Sequence, residues 1–201
     1  MFVYIRKIYK ISKIIIYFPY CIFLYLVYLQ SKNKQLIQKD IGRYNSRFTF
    51  TLFRLAELFV YNERCFRNVL YYRLFNVGWG LRANDTLHIA TPKIGGGFLV
   101  VHGDSTYIYA ESIGENFYVN QCVTIGVVGS KRPIIGNNVR VATGAIVIGG
   151  ITIGDNVVIG AGAVVVKDVP SNSVVVGNPA KVIKINGKRV NQDDILDNEH
   201  L

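Results

Sequence analysis

The sequence predicts a mainly β protein: a parallel β-helix of about four coils, preceded by an α-helical region. Three observations carry this reading. Residues 135–170 divide into the hexads IGNNVR, VATGAI, VIGGIT, IGDNVV, IGAGAV and VVKDVP, opened in turn by Ile135, Val141, Val147, Ile153, Ile159 and Val165. The place after the aliphatic is usually small (Gly136, Ala142, Gly154, Gly160), and a Gly or Asn near the fourth place lets the backbone turn a corner. Upstream, Val101, Tyr107, Ile113, Val119 and Ile125 keep the same period of six. A short fixed period marks units that bury their apolar side only against one another, and hexads belong to β-helices with three sides to a coil.

The chain as a whole carries a net charge of +10 and a pI near 9.6. No helix-turn-helix, zinc-finger or RRM pattern accompanies that charge, so nucleic acid is not an expected partner; phosphates and lipid headgroups are. Cys21, Cys65 and Cys122 are odd in number and far apart, which argues against a disulfide framework and a zinc site and for a reducing, cytoplasmic setting.

Residues 1–35 form a hydrophobic and basic extension. Arg6, Lys7, Lys10 and Lys13 precede an uncharged run, residues 14–29, with Pro19 inside it. A spanning helix needs about 20 apolar residues, so the run is short. A membrane-inserted or interfacial anchor over residues 1–30, at the inner face of the cytoplasmic membrane, is one expectation. A helix packed on the protein or its oligomer is another, and a signal peptide lacks its cleavage site.

Residues 36–80 read as an α-helical lead-in. Phe50, Phe53, Leu55, Leu58 and Phe59 give one apolar face; Asn62 is an N-cap for a helix from Glu63 to Phe75, and Asn76-Val77-Gly78 stops it. Arg67 and Arg73 are expected on its solvated face.

Residues 81–183 are the β-helix, with Ile89 and Ile94 inward and Pro92 at a corner. Between Ile125 and Ile135 the spacing is ten, one hexad plus four residues, so a loop containing Gly129 to Pro133 is extruded there. Insertions of this kind map to one face of a solenoid, often the binding face. Residues 184–201 read as a polar tail.

The period also stacks residues. One coil of eighteen puts His102 under Asn120; eighteen plus the four inserted gives Ala142, and eighteen more gives Gly160. The expected column therefore runs from an imidazole through an amide to two positions almost without side chains.

These hexads, with KDIGRY, FRNVLYYRLF, VVHGDS and GENFYVNQCVTIG, resemble the left-handed β-helix of the hexapeptide-repeat acetyltransferases, in particular the serine acetyltransferase-like group encoded with capsular and exopolysaccharide genes. The handedness comes from that resemblance alone. It implies a homotrimer using acetyl-CoA, without a metal, and makes His102 the general base with Asn120 or corner amides as oxyanion donors. Gly144, Ala145, Ala161 and Gly162, with Ala142 and Gly160, become backbone neighbours of the pantetheine, though tight coils want small residues anyway. GNPAKVI resembles the acetyl-CoA-contacting end, with Lys181 on the nucleotide phosphates and Lys167 as a second cation.

Two departures bear on the acceptor. Where the serine enzymes have an Asp before the catalytic His and a His before the loop Pro, this chain has Val101 and Arg132. Lys131 and Arg132 would favour a neutral or anionic acceptor, such as a sugar hydroxyl on a glycan precursor, unless they are simply a solvated loop. Asp104 or His88 could orient His102. The expectation is an acetyl-CoA-dependent O-acetyltransferase acting on a saccharide, in polysaccharide biosynthesis. Serine O-acetylation and a non-catalytic assembly platform are the alternatives. A γ-type carbonic anhydrase would need three zinc-binding histidines, and the only three here include His200 in the polar tail.

Overall fold

The computed structural model describes residues 2–44, 49, 51–58, 64–75 and 86–190. From Leu87 onward, alternating inward aliphatics make strands of two to five residues that wind as a parallel β-helix. On the first face, Leu87–Ile89, Thr106–Ile108, Thr124–Gly126, Ile146–Ile148 and Val164–Val165 stack in that order. The second face stacks Ser112–Ile113, Ile134–Ile135 and Thr152–Ile153. The third stacks Leu99–Val100, Tyr118–Val119, Arg140–Val141, Val158–Ile159 and Ser173–Val176. Each five-strand stack counts one coil more than the sequence reading. The first coil escapes a hexad count because its inward residues Ile89, Ile94 and Phe98 are not six apart.

Two local devices close the corners. Asn116, Asn138, Asn156 and Asn172 all have φ between +56° and +60°. That left-handed region is one Asn tolerates better than most residues. Their amides form a ladder along the corner, 3.0, 2.9 and 2.9 Å from one Nδ2 to the next Oδ1. Beside this corner the coils approach so closely that a Cβ on Gly114 would lie 2.7 Å from the Gly136 backbone. The small second place of the hexad is thus a packing requirement there.

The period of six slips in the second coil. Val100, not Val101, points inward and pairs with Val119; Tyr107 points outward and Ile108 inward, paired with Ile125. The step from Val100 to Ile108 is eight residues, so two extra ones are extruded at the corner between them. Adjacent valines hide such a slip, because either can serve as the buried one.

At the other end, residues 184–190 are no tail. Lys181–Ile185 and Lys188–Arg189 pair antiparallel onto Ser173–Val176 and extend the third face. Asn186 and Gly187, with φ of +50° and +77°, make the two-residue turn that suits a hairpin. Residues 191–201 lie outside the described residues.

Among the described residues four helices stand ahead of the coils, α1 Phe2–Gln30, α2 Lys34–Arg43, α3 Thr51–Glu57 and α4 Arg64–Phe75. α1 runs through Pro19, and among the described residues no helix is long and apolar enough to cross a membrane. Leu55 and Leu58 turn inward as expected, whereas Phe53 is exposed. Phe50, Phe59, the Asn62 cap and the Asn76–Gly78 stop lie outside the described residues.

The helices have their own core, including Leu24, Tyr28, Ile37, Leu55, Phe66 and Leu70. Arg73 joins it to the coil, and here the expected solvated face is wrong. The side chain is 3% exposed. Its Nε donates to Asp40 Oδ2 at 2.7 Å, and its terminal nitrogens donate to the carbonyls of Ile94 and Gly95, each at 2.6 Å. Asp40 Oδ1 in turn accepts from the amides of Gly97 and Phe98, each at 2.8 Å. Burial raises the Asp40 carboxyl pKa, against the pull of the guanidinium and those two amides. A guanidinium is tolerated inside because its fan of donors meets a carboxylate and backbone carbonyls together.

Candidate active site

The extruded corner between the third and first faces carries His102 and Asp104, with Gly144 and Gly162 stacked above them. Its regular part is a column of left-handed residues, Ser105, Cys122, Gly144 and Gly162, with φ of +51°, +58°, +72° and +67°. Backbone bonds tie the levels together, Cys122 N–H to the Asp104 carbonyl at 2.8 Å, Gly144 to Gln121 at 3.1 Å and Gly162 to Thr143 at 2.9 Å. The two added residues are His102 and Gly103. Both have φ of +64°, and the Gly103 amide closes on the Val101 carbonyl at 2.8 Å, a three-residue turn centred on His102. A branchless residue would adopt that backbone without cost; an imidazole there is held under strain. The side chain is carried out of the coil and exposed.

The slip changes the stack. Val101, whose amide donates to the Val119 carbonyl at 2.8 Å, sits at the level below Asn120, and His102 lies one residue beyond it. Above, the expected order holds. Asn120 donates its amide N–H to Val141 at 3.1 Å, Ala142 to Ile159 at 2.9 Å and Gly160 to Val175 at 2.8 Å. Nothing larger than a methyl group projects from Ala142 and Gly160, and a Cβ on Gly160 would lie 2.7 Å from Val176. Ala161 and Gly162 are exposed beside this trough. Ala145 turns its methyl group fully into the core, which leaves only its backbone on the side of the trough, the part the resemblance assigns to it.

Asn120 has neighbours that spacing alone did not flag. Tyr118, two residues back on the same side of the strand, donates its hydroxyl to Asn120 Oδ1 at 3.2 Å. One coil on, the Arg140 guanidinium lies 4.8 Å from the Tyr118 ring centroid. That bond orients the amide, with Oδ1 towards Tyr118 and the Nδ2 donors turned away from it. The alternation Tyr118-Val119-Asn120 was the available signal, because residues two apart share a strand face.

The extruded loop is a hairpin closed by Val128 and Lys131, which exchange backbone bonds at 3.2 and 3.3 Å. Gly129, with φ of +63°, makes its turn. Lys131 is exposed and its aliphatic stem packs over Gly150. Arg132 pairs with Glu111 and stacks on Tyr109, 5.0 Å from the ring centroid, so its charge already has a partner on the coil. His88 packs against Tyr107 on the first face, with centroids 5.8 Å apart. Asp104 is exposed in the His102 corner, and Lys167 and Lys181 are exposed towards the last coil. Among the described residues no cluster of three His, Cys, Asp or Glu could hold a metal.

The coils are those of a β-helix with a six-residue repeat, and the family described as bacterial transferase hexapeptide (six repeats) matches residues 132–167. The chain resembles the serine acetyltransferases. It is 45% identical over 105 residues to the serine acetyltransferase of Bacillus pumilus (strain SAFR-032), an alignment covering 50% of this chain and 48% of that protein. The chain spans about half the length of the curated relatives it matches. The crystal structure of Neisseria gonorrhoeae serine acetyltransferase superposes with a TM-score of 0.62 at 25% identity, covering 86% of this chain and 73% of that one. Soybean serine acetyltransferase apoenzyme gives 0.56 at 27%, covering 74% and 68%.

Proposed function

We propose that this chain is an acetyl-CoA-dependent O-acetyltransferase of the serine acetyltransferase type. The observation that carries the proposal is His102, held at φ of +64° on a two-residue extension of an otherwise regular corner, beside the Asn120, Ala142 and Gly160 column. Strained backbone of this kind persists where a side chain must be presented. In the proposed reaction the imidazole takes the proton from an acceptor hydroxyl as the oxygen bonds to the thioester carbonyl carbon. The tetrahedral intermediate then collapses, the carbon–sulfur bond breaks, and the proton passes to the departing thiolate. In this reading the Asn120 amide donates to the oxyanion, and a pantetheine arm lies in the smooth trough above it against the backbone of Ala142, Gly144, Ala145, Gly160, Ala161 and Gly162. Lys181 and Lys167 are assigned to the nucleotide phosphates.

Serine is the acceptor that the relatives' names favour. A saccharide hydroxyl is the second reading, and Val101 and Arg132 favour it, since they replace the Asp and His of the serine enzymes. A homotrimer and a cytoplasmic location belong to the same proposal. The test is release of CoA thiol from acetyl-CoA with serine, sugars and nucleotide sugars offered in turn. His102→Ala is expected to lower turnover by at least about a hundredfold, the usual contribution of a positioned general base. Near-normal turnover by that variant overturns the assignment, and release with sugars alone transfers the acceptor to the second reading.

A further inference from the structure

Helix α1 has two apolar sides, and among the described residues only one of them is packed against the protein. Cys21, Leu24 and Tyr28, spaced three and four apart, are buried in the helical core against α2, α3 and α4. Away from that core, Ile16 is 70% exposed, Phe23 54% and Leu26 55%, with Ile22 and Leu29 beside them. A contiguous patch of large aliphatic and aromatic side chains on one helix is rarely left to water and marks an interaction surface.

The charge around the patch says what covers it. Residues 1–34 contain Arg6, Lys7, Lys10, Lys13, Lys32 and Lys34 and no acidic residue. Lys32 and Lys34, just past the helix, are exposed. A second copy of the chain laid on this face would bring two such basic segments together without a counter-charge. Anionic headgroups supply that charge and attract each Lys or Arg held near the surface.

Spanning is a poor fit, since α1 is not apolar enough over a bilayer's thickness and the Cys21, Leu24 and Tyr28 side would have to leave the protein core. A helix apolar on one side, anchored to its protein on the other and rich in basic residues suits the boundary between headgroups and acyl chains.

We propose that α1 lies in the plane of an anionic lipid bilayer, with Ile16, Phe23 and Leu26 sunk into the headgroup–acyl boundary, so that the β-helix is carried on the membrane surface. The inference is independent of acetyl transfer, because its readout is binding. The test is co-sedimentation of the full chain with vesicles containing phosphatidylglycerol and with vesicles of phosphatidylcholine alone, alongside sedimentation velocity without lipid. The expected result is binding to the anionic vesicles that weakens with salt, and a loss of at least about tenfold in the Phe23→Glu, Leu26→Glu variant, whose circular dichroism stays that of the parent. Equal binding to neutral vesicles, or binding untouched by the variant, overturns the proposal. So does a parent that ignores vesicles and a variant that changes only the sedimentation coefficient, for then the face joins copies of the chain.

Discussion

At the scale of single residues, Asn120 depends on Tyr118. The Tyr118 hydroxyl on Oδ1 fixes which end of the amide faces the trough, and Arg140 over the ring holds the tyrosine. Tyr118→Phe removes one hydrogen bond worth about 1 kcal/mol while leaving the packing. The expected outcome is a turnover number about three- to tenfold lower with the KM for acetyl-CoA little changed, as the loss of one bond of that size allows. Steady-state kinetics with the released thiol as signal checks this, and an unchanged turnover number removes Tyr118 from the site. The Arg132 position teaches the converse. Read from the sequence it is a free cation in a loop; in the fold Glu111 and Tyr109 have already engaged it.

At the scale of elements, the buried pair between Asp40 of α2 and Arg73 of α4 sets how the helices sit on the first coil. Its partners there are the Ile94 and Gly95 carbonyls and the Gly97 and Phe98 amides. Removing one member of a buried pair costs about 3–5 kcal/mol, because the other is left charged without a partner. Arg73→Met is therefore expected to destabilise the chain by that order in urea unfolding. The pH dependence has a definite sign. A carboxyl whose folded pKa is raised by burial favours the folded state most when protonated, and that advantage is lost as pH rises through the folded value. The deficit of the variant should thus be smaller in acid than at neutral pH. A loss below about 1 kcal/mol would show that the pair is solvated in solution.

At the scale of the whole molecule, the outer side of the first face carries exposed Tyr107 and Val166, with Val127 and Val128 of the loop also exposed. Apolar sheet surface of this kind is what a cyclic assembly covers. Sedimentation equilibrium is expected to give a trimer, and Val166→Glu to shift it towards monomer with loss of thiol release. A parent that is monomeric at every concentration contradicts the proposed assembly.

What the sequence determined by itself is the rod. From Val119 on, hexads fix the inward residues, the extruded loop and the Asn120, Ala142 and Gly160 column, because each coil contacts mainly the next and a local period is then sufficient information. Tertiary structure decided the rest. Val100 and Val101 are equally apolar, and only pairing with Val119 shows that the first is buried and that His102 stands on a two-residue extension. Residues 184–190 read as a polar tail, because their strands form only against the open edge of Ser173–Val176. Arg73 reads as a surface residue until α2 brings Asp40 and the first coil brings two carbonyls, contacts that lie 33, 21 and 22 residues away in the chain. A local pattern carries no information about partners at that distance, so the physical reason for each miss is the same: burial and charge pairing are set by what the fold brings alongside.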